Sequence, residues 1–590
     1  MSPLTVQKHR CVIKSEAHYG GLKIVYSKIV SGGGYFCKVT KVFSFLIVFT
    51  CLFLLIQKIL TPSWNYPDYW DQVDDVVSEF NSLPKDSVQV LFLGASHVGY
   101  GISPLEFYRE HGIVSYNMGT SGQGLDSSLL ALLEGMKNQK PKVVVVDMSL
   151  FCREQKTSSD RNKLRDNIPF GRNKIRFALA DGNGKSIRHN LKFLPEQWTK
   201  LVPFYEYHSR WKELSRNSFA RFLPRRFFLM GYNAFSIIWH FDAWTNGWHT
   251  AEDDMANRMM SRNTVRASSY NEGVYSEWED DSHPLYAISV HESARLNLKA
   301  IKEACDKNGI QLLLTKIPAT GYTQGYTGVW TRVKSDVARS FASSIGVPFF
   351  DLKYDLDIGI NWSEDTMDGG GHLNLLGARK VTRALGEYLL ENYDLKPIQK
   401  FPEIEEKVPL YDDLISLADL ELERNFRTYL DRIKTSGRDV AVFFSVADTA
   451  LFESNDDEKA ALCEFGFKTD FTKIGYADSF IGVYDEGRVK FECVSNREQS
   501  YSYELNKKTK ITMNSSGWES GSRANIRING KEEALNWRGL NIVVYDKRAK
   551  MVLDSVVFDF WDGANRNARR DNARTKDYFL KYEQYLMEKK

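Results

Sequence analysis

Apolar positions along this chain fall into distinct regimes. The first is a continuous run, Val42-Phe-Ser-Phe-Leu-Ile-Val-Phe-Thr-Cys-Leu-Phe-Leu-Leu-Ile56, carried past Gln57 and Lys58 to Leu60. It has no polar face, and about 20 such residues cross a bilayer core, so it predicts a membrane-spanning helix over 42–60 with Lys58 reaching the interface. Beyond it the spacing changes to short apolar bursts at 88–93, 113–118, 143–148, 310–316 and 347–352. Between the bursts lie stretches of helical periodicity, at 127–138, 292–307 and 329–344. Buried strands alternating with helices predict a mostly parallel sheet covered on both faces, a three-layer α/β sandwich.

The alternation breaks over 151–284, an insertion rich in Arg, Lys and aromatics, as in Phe204-Tyr-Glu-Tyr-His208-Ser-Arg210-Trp211. Aromatic faces stack on sugar rings and Arg binds acidic groups, so His208, Arg210 and Trp211 are candidate substrate-binding residues. The bland alternative is a helical subdomain packed on the sheet, or one resting on the membrane surface. A charged, proline-bearing stretch, Phe401-Pro-Glu-Ile-Glu-Glu-Lys-Val-Pro409, marks a boundary. After it come a helix over 418–434 and strands at 439–445, 479–484, 540–545 and 552–558, the last two divided by a hairpin turn. The expected layout is therefore a leader 1–41, the spanning helix 42–60, a stalk 61–86, an α/β domain 87–400, a linker 401–417 and a smaller α/β domain 418–590.

Charge adds an orientation. Lys8, Arg10, Lys14, Lys23, Lys28, Lys38 and Lys41 oppose a single acid, Glu16, ahead of the apolar run, which places the N-terminus in the cytoplasm and the bulk outside. The formal net charge of +3 over 590 residues gives no reason to expect a nucleic-acid partner. Seven scattered cysteines exclude a disulfide-dense scaffold; Cys463 and Cys493 either pair or stay free. No His, Asp, Glu or Cys cluster has metal-ligand spacing, so neither a metal nor a cofactor is expected.

The chemistry resides in two distant segments. Val90-Leu-Phe-Leu-Gly-Ala-Ser96 runs from a strand into a tight turn that presents a serine at the end of the first sheet strand, where open α/β folds place ligands. Asp368-Gly-Gly-Gly-His372-Leu-Asn-Leu-Leu-Gly-Ala presents a histidine ahead of the last helix. A serine hydroxyl needs a base to take its proton, so the two together point to covalent acyl chemistry. Between them Tyr116-Asn117-Met-Gly119-Thr-Ser-Gly122 forms a glycine-bearing turn whose N–H groups can meet a developing oxyanion.

This set, over about 88–395 without most of the insertion, resembles the SGNH or GDSL-type hydrolases, and within them the membrane-anchored members linked to cell-surface polysaccharide or teichoic-acid modification. The resemblance implies Ser96 as nucleophile and oxyanion donor, Gly122 as second donor, His372 as base and Asp368 as the acid that orients it. Two positions depart from the family pattern. Its aspartate stands three residues before the histidine, where this chain has Gly369, leaving Asp368, Asp365 or no acid for the role. Its Gly-x-Asn-Asp block is replaced by Asp147-Met-Ser149, which leaves Asn117 or Ser149 as the stand-in third donor. Farther on, Trp537-Arg-Gly-Leu-Asn-Ile-Val-Val-Tyr-Asp546 and Ser445-Val-Ala-Asp448 resemble the interleukin-like (ILEI/PANDER) domain in permuted order, some relatives of which bind glycans. The implied function is an extracytoplasmic esterase or O-acyltransferase on acyl esters of a surface glycan. The competing reading is an idle glycan-binding or assembly protein. A multi-spanning membrane acyltransferase is a partner compatible with both.

Overall fold

The computed structural model describes residues 32–62, 64, 73–152, 158–179, 200–214, 229–232, 289–319, 328–362, 365–367, 371–449, 451–561 and 566–569. The described residues up to Leu60 form one unit, a helix α1 (Gly32–Leu60). Its Lys41–Leu60 segment is long and apolar enough to cross a membrane. The helix starts ten residues earlier than the apolar run alone predicts, since a helix once nucleated extends readily through flanking residues.

The second unit, Thr61–Lys590, opens with α2 (Val73–Ser82). Within the stretch expected as a stalk, residues 73–82 are packed: Val73, Val76, Val77 and Phe80 are all buried. Then follow β1 (Val90–Leu93), α3 (Ser96–Gly101), α4 (Pro104–His111), β2 (Ser115–Asn117), α5 (Leu125–Gly135) and β3 (Val143–Asp147). The insertion contributes α6 (Ser158–Asn167), α7 (Arg172–Leu179) and α8 (Pro203–Tyr207). The sheet resumes with α9 (Glu292–Lys307), β4 (Gln311–Lys316), α10 (Gly328–Ser344) and β5 (Phe349–Asp351). A small hairpin, β6 (Thr366–Met367) with β7 (His372–Leu373), precedes α11 (Leu375–Asn392).

The five strands β1–β5 form one parallel sheet in the order β2-β1-β3-β4-β5. Alternation along each strand feeds two cores. Leu91, Leu93, Val144, Val146, Leu312 and Leu314 face a layer that includes α2, α5, α9 and α10. Val90, Phe92, Val143, Val145 and Leu313 face α4 and α11 through Phe107, Val381, Leu385 and Leu389. The three-layer α/β architecture read from the apolar bursts is therefore the observed one. At the open edge, the N–H of Asn117 donates to Met230 O at 3.0 Å. A Cβ on Gly231 would lie 1.8 Å from Asn117 O, so only glycine allows the insertion this close to β2.

The stretch read as a linker is helical instead. It forms α12 (Pro402–Glu405) and most of α13 (Val408–Leu422), and the single helix expected over 418–434 is divided. The chain turns after Leu422, and Asn425 caps a new helix α14 (Phe426–Thr435) by accepting from Thr428 N at 2.9 Å. Next come β8 (Val440–Ala447), α15 (Asp456–Phe465), β9 (Ser479–Asp485), β10 (Arg488–Ser495), β11 (Gln499–Asn506), β12 (Thr509–Ser516), β13 (Arg523–Ile528), β14 (Lys531–Glu532), β15 (Gly539–Asp546), β16 (Met551–Asp559) and β17 (Arg566–Arg569). They make one ten-stranded, largely antiparallel sheet, with β8 between β9 and β15. The β15–β16 hairpin turns where the sequence places it; Asp546 accepts from Arg548 N and Ala549 N. One apolar core runs from Leu105 and Tyr116 through Ile404, Tyr411 and Leu414 to Phe444 and Val556, which is why the connecting segment is ordered. Cys463 and Cys493 are free thiols.

Candidate active site

β1 ends at Leu93, and Gly94 turns the chain with φ +156°. A Cβ there would sit 2.6 Å from Val98 Cγ2 and 2.8 Å from Asp147 Cβ, so a glycine is needed for α3 to start against the end of β3. Ala95 caps α3 and Ser96 is its first residue, half-buried at the C-terminal edge of the sheet. This edge, between β1 and β3, is where the strand order reverses, the customary ligand position in doubly wound sheets.

The loop after β2 is locked to α3 by glycines. A Cβ on Gly119 would lie 2.6 Å from Gly99 N and 3.0 Å from Ala95 O, and Thr120 N donates to Gly94 O at 3.3 Å. Asn117, fully buried, staples the same junction. Its Nδ2 donates to Val98 O (2.7 Å) and Ile102 O (2.8 Å), and its Oδ1 accepts from Gly119 N (2.8 Å).

His372 arrives on the β6–β7 hairpin, where Met367 pairs with His372 and Thr366 with Leu373. Asn374 fixes the exit by capping α11, its side chain accepting from Leu376 N and Gly377 N. The result brings residues 276 apart in sequence into contact: Ser96 Oγ lies 2.7 Å from His372 Nε2. With its proton on Nδ1, the imidazole accepts from the hydroxyl, the arrangement that a Ser–His nucleophile requires. The His372 ring is flanked by His97, stacked at a centroid distance of 4.9 Å, and by Tyr100, edge-on at 5.4 Å.

Neither neighbour was assigned to the pair from sequence. His97 directly follows Ser96 on α3. Its ring packs on His372, because successive helical side chains diverge by about 100° and can flank a group lying between them. The signal available in advance was the aromatic content of Ser96-His-Val-Gly-Tyr100.

Asp368 lies outside the described residues. Asp365, the alternative acid, is committed elsewhere: its Oδ2 accepts from Asn361 N (2.7 Å) and Lys380 Nζ (2.6 Å). Gly122 has φ +66°, a left-handed conformation that glycine adopts freely. Among the described residues, no acceptor is bonded to the backbone N–H of Ser96 or of Gly122.

The two substitutes for a third oxyanion donor do not serve. Both Asn117 N–H groups are taken by backbone carbonyls, since that amide holds the turn. Ser149 donates its hydroxyl to Asp147 Oδ1 (2.9 Å) and its N–H to Asp147 Oδ2 (3.1 Å). Asp147 is buried, and desolvation raises its carboxyl to about 6 against hydrogen bonds from Ser149 and Ile317 that favour the anion.

His208, Arg210 and Trp211 lie on a 3₁₀ turn (His208–Lys212) that follows α8. His208 Nδ1 is 2.9 Å from Tyr205 O, and Trp211 is exposed with Lys212 Nζ 5.8 Å from its ring centroid. α8 is anchored to α6 by Arg165 with Glu206 (2.6 Å) and Tyr207 with Asp166 (2.7 Å).

Two solved structures are similar in fold. One is assigned as an acylhydrolase from Bacteroides fragilis, 13% identical, covering 55% of this chain and 99% of that one with a TM-score of 0.25. The other is a GDSL-like lipase from Bacteroides thetaiotaomicron, 14% identical, covering 54% and 97% with a TM-score of 0.24. No protein-family model and no curated protein matches the chain. Likenesses of this level carry no weight for the chemistry, which stands on the Ser96–His372 geometry.

Proposed function

We propose that this protein is a membrane-anchored serine esterase or O-acyltransferase that acts on acyl esters of a cell-surface glycan, its N-terminus cytoplasmic and its bulk outside. The observation that carries the reading is the 2.7 Å contact between Ser96 Oγ and His372 Nε2 at the C-terminal edge of the parallel sheet. In the proposed cycle Ser96 Oγ attacks the ester carbonyl as His372 Nε2 takes its proton. The N–H groups of Ser96 and Gly122 meet the oxyanion. The tetrahedral intermediate collapses, and His372 returns the proton to the departing alkoxide, leaving an acyl-serine. Water or a sugar hydroxyl then attacks by the same steps in reverse. Asp368 is the proposed orienting acid, and His208, Arg210 and Trp211 the proposed glycan contacts. A multi-spanning acyltransferase is the proposed supplier of acyl groups.

The absence of a side-chain donor at the end of β3 favours a second reading, an idle glycan-binding protein, because one missing oxyanion donor costs roughly 10²–10³ in rate. A serine-reactive fluorophosphonate separates the two. Labelling of the full chain that disappears in Ser96→Ala and in His372→Ala supports the enzyme. A folded wild type that stays unlabelled beside a reactive serine esterase leaves the binder.

A further inference from the structure

The insertion helix α6 reaches the loop that carries Gly122, and it does so at one peptide. Lys163 Nζ donates to Ser121 O at 3.3 Å. That carbonyl and the N–H of Gly122 belong to the same planar, trans peptide unit, so they point in opposite directions. A side chain that holds the oxygen therefore also sets where the N–H points.

The turn has need of such a hold. Gln123 N donates to Thr120 O at 3.1 Å, closing a four-residue turn with Ser121 and Gly122 in its middle. Gly122 has φ +66° and Ser121 does not share the positive sign, the combination of a type II turn. A type I turn over the same four residues keeps the closing bond but rotates the central peptide by roughly 150–170°. Glycine adopts either sign of φ, so it permits the observed form without enforcing it. In the rotated form Ser121 O would face where the Gly122 N–H now points, and a carbonyl dipole aimed that way opposes a developing oxyanion. A cation on Ser121 O favours the observed form, and it polarises the peptide so that its N–H becomes a stronger donor.

α6 is itself fixed. Arg161 Nε donates to Asp126 Oδ2 at 2.6 Å, a largely buried ion pair in the first turn of α5, shortly after the loop. The Arg161 guanidinium also lies 4.5 Å from the Phe177 ring centroid and donates to Phe177 O. Asn162 and Arg165 both donate to Glu206, and Asp166 Oδ2 accepts from Tyr207 and from Trp64 Nε1. Glu206 and Tyr207 end α8, immediately before the turn that carries His208, Arg210 and Trp211. One helix thus touches both the base of that turn and the loop that bears Gly122.

We propose that Lys163 is a positioning residue, which holds the Ser121–Gly122 peptide in the orientation that offers the Gly122 N–H to the oxyanion. Its part in the reaction rests on the esterase reading above; its hold on the turn does not.

The test uses the full-length protein in detergent. Labelling the serine carbonyl carbon and the glycine nitrogen with isotopes restricts a coupled nuclear-resonance signal to the five Ser–Gly peptides of the chain, and Gly122→Ala identifies the one in this turn. That signal should move in Lys163→Met and return toward its place in Lys163→Arg. A signal unmoved in Lys163→Met overturns the hold. Turnover is compared on 4-nitrophenyl acetate and on its thionoester, whose sulfur anion accepts N–H bonds poorly. Lys163→Met should lower kcat on the oxygen ester about tenfold with KM near the parental value, and lower the preference for oxygen over sulfur by a similar factor. Lys163→Arg should recover most of both. Parental kcat in Lys163→Met, an unchanged preference, or an equal loss in Lys163→Arg overturns the positioning role. Lys163→Ala takes the place of the methionine variant if that one does not fold. A wild type that hydrolyses neither ester and stays unlabelled by the fluorophosphonate ends the esterase reading, while the peptide signal still decides the hold.

Discussion

Replacing Gly119 by alanine tests the packing between the loop that carries Gly122 and the helix that carries Ser96. The added methyl would stand 2.6 Å from Gly99 N, 2.8 Å from Val98 Cβ and 3.0 Å from Ala95 O. An ordinary contact begins near 3.4 Å, so the two segments must separate by about 0.8 Å, the difference from the shortest of these distances. Two of the three obstacles are backbone, which no rotamer change can clear. Overpacking of this kind costs about 1–3 kcal/mol. The larger effect falls on geometry, since a displacement of about 1 Å in a positioned site costs on the order of 10² in rate. The assay is kcat/KM on 4-nitrophenyl acetate together with the thermal unfolding midpoint, using Gly171→Ala as control. At Gly171 a Cβ would meet only the Lys137 amine, at 3.9 Å, and no loss is expected. A Gly119→Ala protein with unchanged kcat/KM and unchanged midpoint would refute the loop–helix contact as the device that sets the site.

Further expectations follow from neighbouring groups. Glu79 is buried among Tyr116, Met230, Gly231 and Lys407, and burial raises its carboxyl from 4.5 to about 7. Between those values the unfolded chain has lost a proton that the folded one keeps, so stability falls as pH rises, by about 3 kcal/mol in all. Glu79→Gln should flatten the fall in unfolding midpoint between about pH 5 and about pH 8; an equal fall in both proteins refutes it. Asn117→Ala orphans two carbonyls and one N–H and should cost on the order of 3–5 kcal/mol in denaturant unfolding. A loss under ~1 kcal/mol would show that the amide holds nothing. His97→Ala should slow fluorophosphonate labelling about tenfold and shift its pH profile, whereas His97→Phe, which keeps a ring against His372, should restore most of the rate. Equal rates in the two variants would remove the stacking role.

Legibility in the sequence tracked how much each element depends on its own residues. The buried parallel strands Val143–Asp147 and Gln311–Lys316 announce themselves by the apolar runs Val143–Val146 and Leu312–Leu314, and Glu292–Lys307 as a clean amphipathic helix. The strand Gln499–Asn506 is not among the strands read above: its alternation of polar residues with Tyr501, Tyr503 and Leu505 contains no apolar burst, and Thr509–Ser516 pairs with it. The break between Leu422 and Phe426 lies in one asparagine whose capping role shows only once Thr428 N is in place. At the candidate site, Ser96 and His372 were legible because each stands at a turn next to a strand or helix. The fate of Asn117 was not, since its partners Val98 on α3 and Ile102 at its C-cap meet it only in three dimensions.

The bond between Asn117 N and Met230 O has a further consequence in time. Strands β1, β2 and β3 are all made before residue 152, yet the segment that covers the β2 edge follows more than 110 residues after Asn117. Throughout that interval the nascent sheet presents an unpaired edge of N–H and C=O groups, the kind that recruits strands from other chains. Synthesis of this protein thus contains a window of stickiness that closes at the β2 edge when Met230 and Gly231 dock, and at the β3 edge only when β4 arrives. Conditions that stall the chain inside the insertion are where its misassembly will concentrate.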